Sequence, residues 1–198
     1  MRLVVSEFIS LDGVVQAPGG AEEDTDGGFR HGGWSMPFFD VETMGPVIDE
    51  GLRGTDALLF GRRTWQVMAG AWPERAGDPF ADRMNEIPKY VVSRTLKQDD
   101  LTWNNSTLLP ADDLATAVQG LKAEEGGDIM IMGSSRLARD LITHGLVDEL
   151  LLMIEPIVLG GGKRLFPDDG HARTLDLVST PVTSGTGVQI CRYRIAES

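Results

Sequence analysis

The sequence predicts an α/β protein with a largely parallel sheet and antiparallel strands added at its C-terminal end. Strand-like and helix-like apolar patterns alternate up to about residue 147, which is typical of parallel sheets flanked by helices. Beyond that point only strand-like segments follow. The 198 residues include 41% hydrophobic and 24% charged residues, the usage of an ordinary globular domain. Since we find neither linker nor repeat, we predict one domain over residues 1–198.

The first strand-like segment leads into an unusual loop. Residues 3–9 are rich in β-forming side chains and predict a strand. Residues 17–33 are rich in glycine and acidic side chains, so they cannot pack a core and should form a mobile surface segment. Such loops are often functional, and this one is interpreted either as a lid or as a solvated insertion.

The remaining elements follow in short alternation. Apolar spacing from Phe39 to Leu52, with Gly54 behind it, predicts a helix, and Asp78 followed by Pro79 predicts the start of another. Further helices are predicted over 64–72, 112–125 and from Ser134 or Ser135 to 144. Strands are predicted at 56–60, 90–93, 128–132, 148–158, 173–180 and 188–195.

Charge and missing motifs exclude several classes of function. Eighteen basic residues against 30 acidic ones leave a net charge of −12, which argues against nucleic-acid and anionic-membrane partners. No apolar run reaches the roughly 18 residues of a membrane span, and we find no signal peptide, so we expect a cytoplasmic protein. One cysteine and three scattered histidines offer no metal-ligand spacing, and common P-loop, dinucleotide, zinc-protease and serine-hydrolase motifs are absent.

Three strand ends carry small residues and arginines, a pattern that favours phosphate binding. The residues are Gly61, Arg62, Arg63 and Thr64; Ser93 and Arg94; and Gly133, Ser134, Ser135, Arg136 and Leu137. Free N–H groups at a helix start bind phosphate, and arginine supplies forked donors. Because parallel strands end at one edge of a sheet, the three junctions should lie near each other. The alternative is that they are ordinary turns with solvated arginines.

The chain resembles the dihydrofolate reductase superfamily, and most closely the branch that contains the reductase domain of bacterial riboflavin biosynthesis. The resemblance rests on five segments in order along nearly the whole chain. They are Ser-Leu-Asp-Gly-Val-Val at 10–15, Gly-Arg-Arg-Thr-Trp at 61–65, Val-Ser-Arg at 92–94, Met-Gly-Ser-Ser-Arg-Leu at 132–137 and the Gly-Gly-Gly-Lys-Arg region within 156–166. It implies a three-layer dihydrofolate reductase-like fold and a homodimer.

The same resemblance implies an NADPH-dependent reductase that acts on a C=N bond of a small heterocycle, either pterin-like or a ribosylamino-pyrimidine. Residues 61–64 would face the cofactor pyrophosphate and 2′-phosphate, residues 93–94 its adenosine end, and residues 133–137 would cradle the pyrophosphate. Lys163 and Arg164 are candidates for a substrate phosphate or for a solvated turn.

The proton donor is predicted less directly. An acid on the helix after the first loop is implied by the resemblance, and Asp40 beside Phe38 and Phe39 is the candidate. The alternative is that Asp40 only complements the helix dipole. Since the familiar acid pattern is missing, an NADP(H)-binding module without turnover, a regulatory or degenerate relative, is the second hypothesis.

Overall fold

A nine-stranded sheet forms the centre of the molecule, and the computed structural model describes residues 1–196. The last two residues of the predicted 1–198 domain lie outside the described residues. The strands are β1 (Arg2–Ser10), β2 (Thr55–Gly61), β3 (Lys89–Ser93), β4 (Ser106–Pro110), β5 (Asp128–Met132), β6 (Glu149–Glu155), β7 (Leu175–Leu177), β8 (Val182–Thr183) and β9 (Gln189–Ile195). Their order is β4-β3-β2-β5-β1-β6-β9-β7, and β8 also pairs with β9.

The strand pairing confirms the predicted mixed sheet. Neighbouring strands from β4 to β6 run parallel, with β1 held between β5 and β6. The strands after β6 are antiparallel, because β9 pairs with β6, β7 and β8 in that sense. Parallel strands buried on both faces are typical of sheets covered by helices on each side.

Five helices cover the two faces and complete the three layers. They are α1 (Val41–Arg53), α2 (Arg62–Ala71), α3 (Pro79–Glu86), α4 (Leu114–Ala123) and α5 (Ser135–Thr143). Side chains of α4 and α5 pack with Leu3 and Val5 of β1 on one face. The opposite face carries α1, α2 and α3, where Val4 packs with α1 and Phe60 with α2 and α3. This alternation along each strand follows from the two-residue period of its side chains.

The structure differs from the predicted elements at the edges of the sheet. The half-exposed edge strand β4 and the two-residue β8 lack a continuous apolar run and were not predicted. Strand β6 ends at Glu155, before Pro156, which lacks an N–H for the ladder. The apolar strand β9 is internal, because β7 and β8 cover its outer side.

The glycine-rich loop after β1 folds over the sheet instead of extending away from it. Its ends are joined where the Gly33 N–H donates to the Ala17 carbonyl at 2.9 Å and the Trp34 indole N–H donates to the Gln16 carbonyl at 2.8 Å. Asp24 and Asp26 within it pair with the Lys163 ammonium of the later turn. These contacts fix the loop beside the carboxyl ends of the central strands.

Within residues 1–196, no helix combines the length and the apolar character that crossing a bilayer would require.

Candidate active site

A cavity of about 1010 Å³ opens where the carboxyl ends of the central strands meet the loop after β1. Ligands of open α/β sheets bind at this edge. Two of the three predicted junctions line the cavity: Gly61, Arg62, Arg63 and Thr64 at the start of α2, and Gly133, Ser134, Ser135, Arg136 and Leu137 at the start of α5. The sequence therefore located one side of the cavity correctly.

The two helix starts pack closely against each other. The Gly61 N–H donates to the Ser134 hydroxyl at 2.9 Å, which links the end of β2 to the turn after β5. Gly133 adopts a φ of +73°, and a Cβ there would lie 3.1 Å from Thr64 Cγ2. Within residues 1–196, neither α2 nor α5 has a side-chain cap at its N-terminus. Gly61, at the N-cap position of α2, has no side chain, and the hydroxyl of Ser134, at the N-cap position of α5, bonds Gly61 and not its own helix. The sequence suggested Ser134 or Ser135 as the cap of α5, and Ser134 does not cap it through its side chain.

These uncapped starts form a cradle suited to phosphate. The first N–H groups of a helix lack intrahelical partners, and the helix dipole favours an anion there. The Arg62 guanidinium donates to the neutral Gln66 amide oxygen at 3.3 Å. Among residues 1–196, no carboxylate forms an ion pair with Arg62 or Arg136. Both guanidinium groups keep their charge available for a ligand. Arg63, by contrast, is paired with Asp26 and with Asp24 at 3.8 Å.

Lys163 also lines the cavity, and its charge is already matched. Its side chain is only 16% exposed, and its ammonium group binds both Asp24 and Asp26. Two nearby cations, Lys163 and Arg63, hold the pKa of Asp26 near 2, so this carboxylate is ionised at neutral pH. The geometry supports a role for Lys163 in fixing the loop more than the predicted contact with a substrate phosphate.

A buried glutamate that sequence reasoning missed, Glu7, lies in the cavity wall. It belongs to β1, is 2% exposed, and its Oε1 has no hydrogen-bond partner among the described residues. Burial raises its pKa well above the usual range, and the charge of Glu23 adds to this shift, while the Gly133 N–H opposes it. The signal was a lone acidic residue inside an apolar strand, since such a group is rarely buried without a purpose.

Glu23 lines the same cavity from the loop after β1. It accepts hydrogen bonds from the N–H groups of Gly19 at 2.8 Å and Gly20 at 3.1 Å. Burial raises the pKa of Glu23, and its two backbone donors partly offset this effect. Glu7 and Glu23 therefore form a pair of acids, one deep and one nearer to solvent.

The rest of the cavity is largely apolar and lies between α1 and α2. Its walls are built by aromatic and aliphatic side chains: Phe8, Phe39, Val41, Ile48, Val67, Met68, Trp72, Phe80 and Met153. The ring centroids of Phe8 and Phe39 are 6.2 Å apart, at an interplanar angle of 59°. Such walls suit a flat, mostly uncharged ring.

Comparison with known proteins agrees with this architecture. The family described as RibD C-terminal domain matches residues 2–190, almost the whole chain. The protein belongs to the RibD C-terminal domain family. The resemblance inferred from the sequence is therefore confirmed.

Relatives of this RibD C-terminal domain include two Bacillus subtilis (strain 168) proteins. One, described as uncharacterized protein YyaP, is 29% identical over 198 residues, which covers 96% of this chain and 93% of YyaP. The other, described as uncharacterized protein YwjB, is 35% identical over 60 residues, which covers 30% of this chain and 34% of YwjB.

Two solved structures share the fold. A putative riboflavin biosynthesis protein from Shewanella sp. PV-4 superposes with a TM-score of 0.68 at 17% identity and full coverage of both chains. A pyrimidine reductase-like protein from Corynebacterium diphtheriae superposes with a TM-score of 0.66 at 19% identity, covering all of this chain and 92% of the other. The predicted dihydrofolate reductase-like three-layer fold is confirmed.

The third predicted junction lies beside the cavity of this RibD C-terminal domain and outside its lining. The Ser93 hydroxyl accepts from the N–H groups of Thr95 at 3.1 Å and Leu96 at 3.0 Å. Arg94 donates to the exposed Asp112 carboxylate at 3.1 Å. Since β3 adjoins β2, both residues stand at the same sheet edge, and their cofactor contact stays a prediction.

Asp40, the predicted acid, lies at the N-cap of α1 and not in the cavity lining. It accepts hydrogen bonds from the N–H groups of Gly185 at 3.0 Å, Glu42 at 3.1 Å and Thr43 at 3.4 Å. The Gly185 bond and those within the cap lower the pKa of Asp40. These hydrogen bonds at the start of α1 fit the alternative interpretation, in which Asp40 serves the helix terminus, and its catalytic role stays a prediction.

Proposed function

We propose that this RibD C-terminal domain is an NADPH-dependent reductase that acts on a C=N bond of a nitrogen heterocycle, pterin-like or a ribosylamino-pyrimidine. The observation that carries the proposal is the pair of uncapped helix starts at one cavity, accompanied by Arg62 and Arg136. Family membership and the description of a structural neighbour as pyrimidine reductase-like support the same reaction class.

The residues of the cradle fit a dinucleotide phosphate group. The absence of a side chain at Gly133 leaves room beside Thr64, where a Cβ would close the gap between the two helix starts. N–H groups of α2 and α5 would hold the pyrophosphate, and Arg62 or Arg136 would neutralise a 2′-phosphate. Bound NADPH would supply the hydride.

The apolar part of the cavity would take the heterocycle. Its aromatic walls exclude water and orient a flat ring against the cofactor side of the cavity. The protein would contribute mainly position and electrostatics, because the redox chemistry belongs to the cofactor.

We test turnover by following NADPH absorbance in stopped flow with a panel of dihydropterins and ribosylamino-pyrimidines, with and without a phosphate. The expected result is NADPH oxidation with at least one member, and its loss in Ser134→Tyr, which fills the cradle. Thr116→Tyr, on the exposed side of α4 away from the cavity, is the matched control and should keep the wild-type rate.

An NADP(H)-binding module without turnover is the second candidate, and the capping position of Asp40 favours it. NADPH binding together with no oxidation across the whole panel would support this candidate and contradict the reductase.

A further inference from the structure

We propose that Glu7 is the acid that pairs with the substrate heterocycle and protonates its C=N nitrogen, and that Glu23 returns a proton to it from solvent. The proposal rests on the proposed reductase function and deepens it at the level of residues. It assigns two side chains of the cavity that the cofactor cradle does not use.

The position of Glu7 argues for a ligand. It sits on β1 opposite Leu152 of β6, one residue beyond Ser6, where the pairing of β1 with β5 ends. Its backbone is therefore held by β6 at the point where the sheet opens beside β5. Glu7 lines the cavity, and its Oε1 is buried without a partner among the described residues. Buried polar atoms are nearly always hydrogen-bonded, and exceptions call for an explanation such as catalysis. A substrate in the cavity would supply the missing partner.

Glu7 also lies next to the cofactor cradle. The Gly133 N–H, at the turn that begins the α5 junction, is close enough to influence the ionisation of the Glu7 carboxyl. In the β1–β5 pairing, the neighbouring Ser6 is directly opposite Met132, the residue before Gly133. A C=N bond of a substrate bound here could therefore receive a proton from Glu7 and a hydride from a cofactor held at the neighbouring Gly133 turn.

The surroundings of Glu7 favour its protonated form. Burial and the carboxylate of Glu23 both raise its pKa. The cations that line the cavity are Arg62, Arg63, Arg75, Arg136 and Lys163. Arg63 and Lys163 are paired with Asp24 and Asp26, so their charges are largely cancelled. A neutral carboxylic acid offers one O–H donor beside one C=O acceptor.

This pairing defines the substrate class. A ring nitrogen next to an amino or N–H group presents the complementary acceptor and donor, as aminopyrimidines and pterins do. The apolar walls of Phe8, Phe39 and Met153 suit the faces of such a ring. We therefore infer a flat, neutral nitrogen heterocycle with an amidine-like edge.

The reaction balances with these groups. The substrate carbon gains a hydride, two electrons and one proton, from the bound dihydronicotinamide, which is oxidised to the nicotinamide cation. The substrate nitrogen gains the proton of the Glu7 O–H bond, so C=N becomes CH–NH and Glu7 becomes a carboxylate. The Glu23 carboxylate, half-buried at the loop, then takes a proton from water and passes it to the Glu7 carboxylate, which restores both groups to their starting states.

The test compares Glu7→Leu, Glu7→Gln and Glu23→Gln with wild-type protein. 2-Aminopyrimidine is the binding probe, followed by chemical-shift titration, and a dihydropterin is the turnover probe. Glu7→Leu should weaken 2-aminopyrimidine binding at least tenfold, because leucine cannot pair with it. Glu7→Gln should keep this binding, since its amide also has a donor and an acceptor, and should slow the first turnover at least a hundredfold.

Glu23→Gln distinguishes the transfer of a proton from Glu7 to the substrate from the later reprotonation of Glu7 through Glu23. Its first turnover should match wild type, and later turnovers should slow about tenfold or more. The infrared C=O band of a protonated carboxylic acid at pH 7 should weaken in Glu7→Gln. Glu155→Gln is the matched control, because Glu155 is equally buried with one unpaired oxygen but lies outside the cavity lining.

The outcomes distinguish this inference from the proposed function. Unchanged 2-aminopyrimidine binding in Glu7→Leu, or an infrared band that persists in Glu7→Gln and disappears only in Glu155→Gln, would overturn the assignment of Glu7. NADPH that fails to bind wild-type protein would overturn the reductase, while the binding and infrared measurements would still decide the role of Glu7.

Discussion

Glu155 shows at the scale of one residue how burial can raise the pKa of a carboxyl group. Its side chain is fully buried at the end of β6, where Oε1 accepts from the Ser35 hydroxyl at 2.5 Å and Oε2 has no partner among the described residues. Burial raises its pKa from 4.5 to about 7, against the smaller opposite effect of the Ser35 bond. The folded protein therefore keeps a proton here that the unfolded chain loses.

This raised pKa predicts that Glu155 lowers stability as pH rises. Above about pH 4.5 the unfolded chain ionises and the folded chain does not, so the free energy of unfolding falls until pH reaches about 7. Glu155→Gln should stabilise the protein at pH 8 by up to about 3 kcal/mol and change little at pH 4. Urea unfolding of both proteins at the two pH values measures this difference.

Glu149 provides the control for that experiment. It is as buried as Glu155, but it accepts hydrogen bonds from Arg2 at 3.1 Å and from Arg192 at 2.7 Å. Glu149→Gln should destabilise the protein at pH 8, because it removes the negative charge that pairs with three guanidinium groups, those of Arg2, Arg192 and Arg194. Equal effects of Glu155→Gln at pH 4 and pH 8 would contradict the account of its titration.

At the scale of elements, the backbone conformation of the turn between β5 and α5 sets the distance between the two helix starts that form the proposed phosphate site. Gly133 has a positive φ and faces Thr64 at the start of α2. Gly133→Ala should weaken NADPH binding at least tenfold, because the added methyl group strains the turn and separates the two helix starts. Isothermal titration measures the affinity.

Gly120→Ala is the matched control for this substitution. Gly120 lies inside α4, where a Cβ meets nothing within 4 Å, so alanine should stabilise the helix by about 1 kcal/mol. Its NADPH affinity should equal that of wild type. Normal affinity in Gly133→Ala would show that the turn does not shape the site.

The elements themselves were largely predictable, because the central strands and helices bury continuous apolar residues. Strand β5 has the predicted bounds, and the Asp78 cap accepts from the N–H groups of Phe80 and Ala81 as expected. The edge strands β4 and β8 were not predictable, because half-exposed segments gain their structure from a neighbour and carry little pattern of their own.

The candidate site was predictable only in part, because a sequence shows local turns but does not show contacts between distant segments. Gly61 and Gly133 mark local turns that a sequence displays directly. Glu7 and Glu23 line the same cavity only because the loop after β1 folds back across the sheet. Local sequence patterns do not encode this long-range arrangement. The hydrogen bond between the Gly185 N–H and Asp40 joins residues that are distant in the sequence. The sequence alone therefore did not show that this bond occupies the carboxylate proposed as the catalytic acid.

At the scale of the whole molecule, the C-terminal strands leave an apolar surface. Leu177, Val178 and Val182 are 41–50% exposed on or beside the edge strands β7 and β8. Exposed edges of this kind need cover, so we propose that two copies form a homodimer through them. Sedimentation should give a dimer at micromolar concentration, and a monomer in Leu177→Lys. A wild-type monomer would contradict the proposal.

The proposed function depends on NADPH binding at the two helix starts, and isothermal titration of the wild-type protein with NADPH and with NADH measures this binding. We predict that NADPH binds at least tenfold more tightly than NADH, and that Arg62→Ala or Arg136→Ala removes most of this preference. Arg53→Ala, an exposed arginine paired with Asp49 at 3.5 Å, should leave it unchanged. Binding of neither nucleotide would show that the two helix starts are structural turns, and would contradict the account.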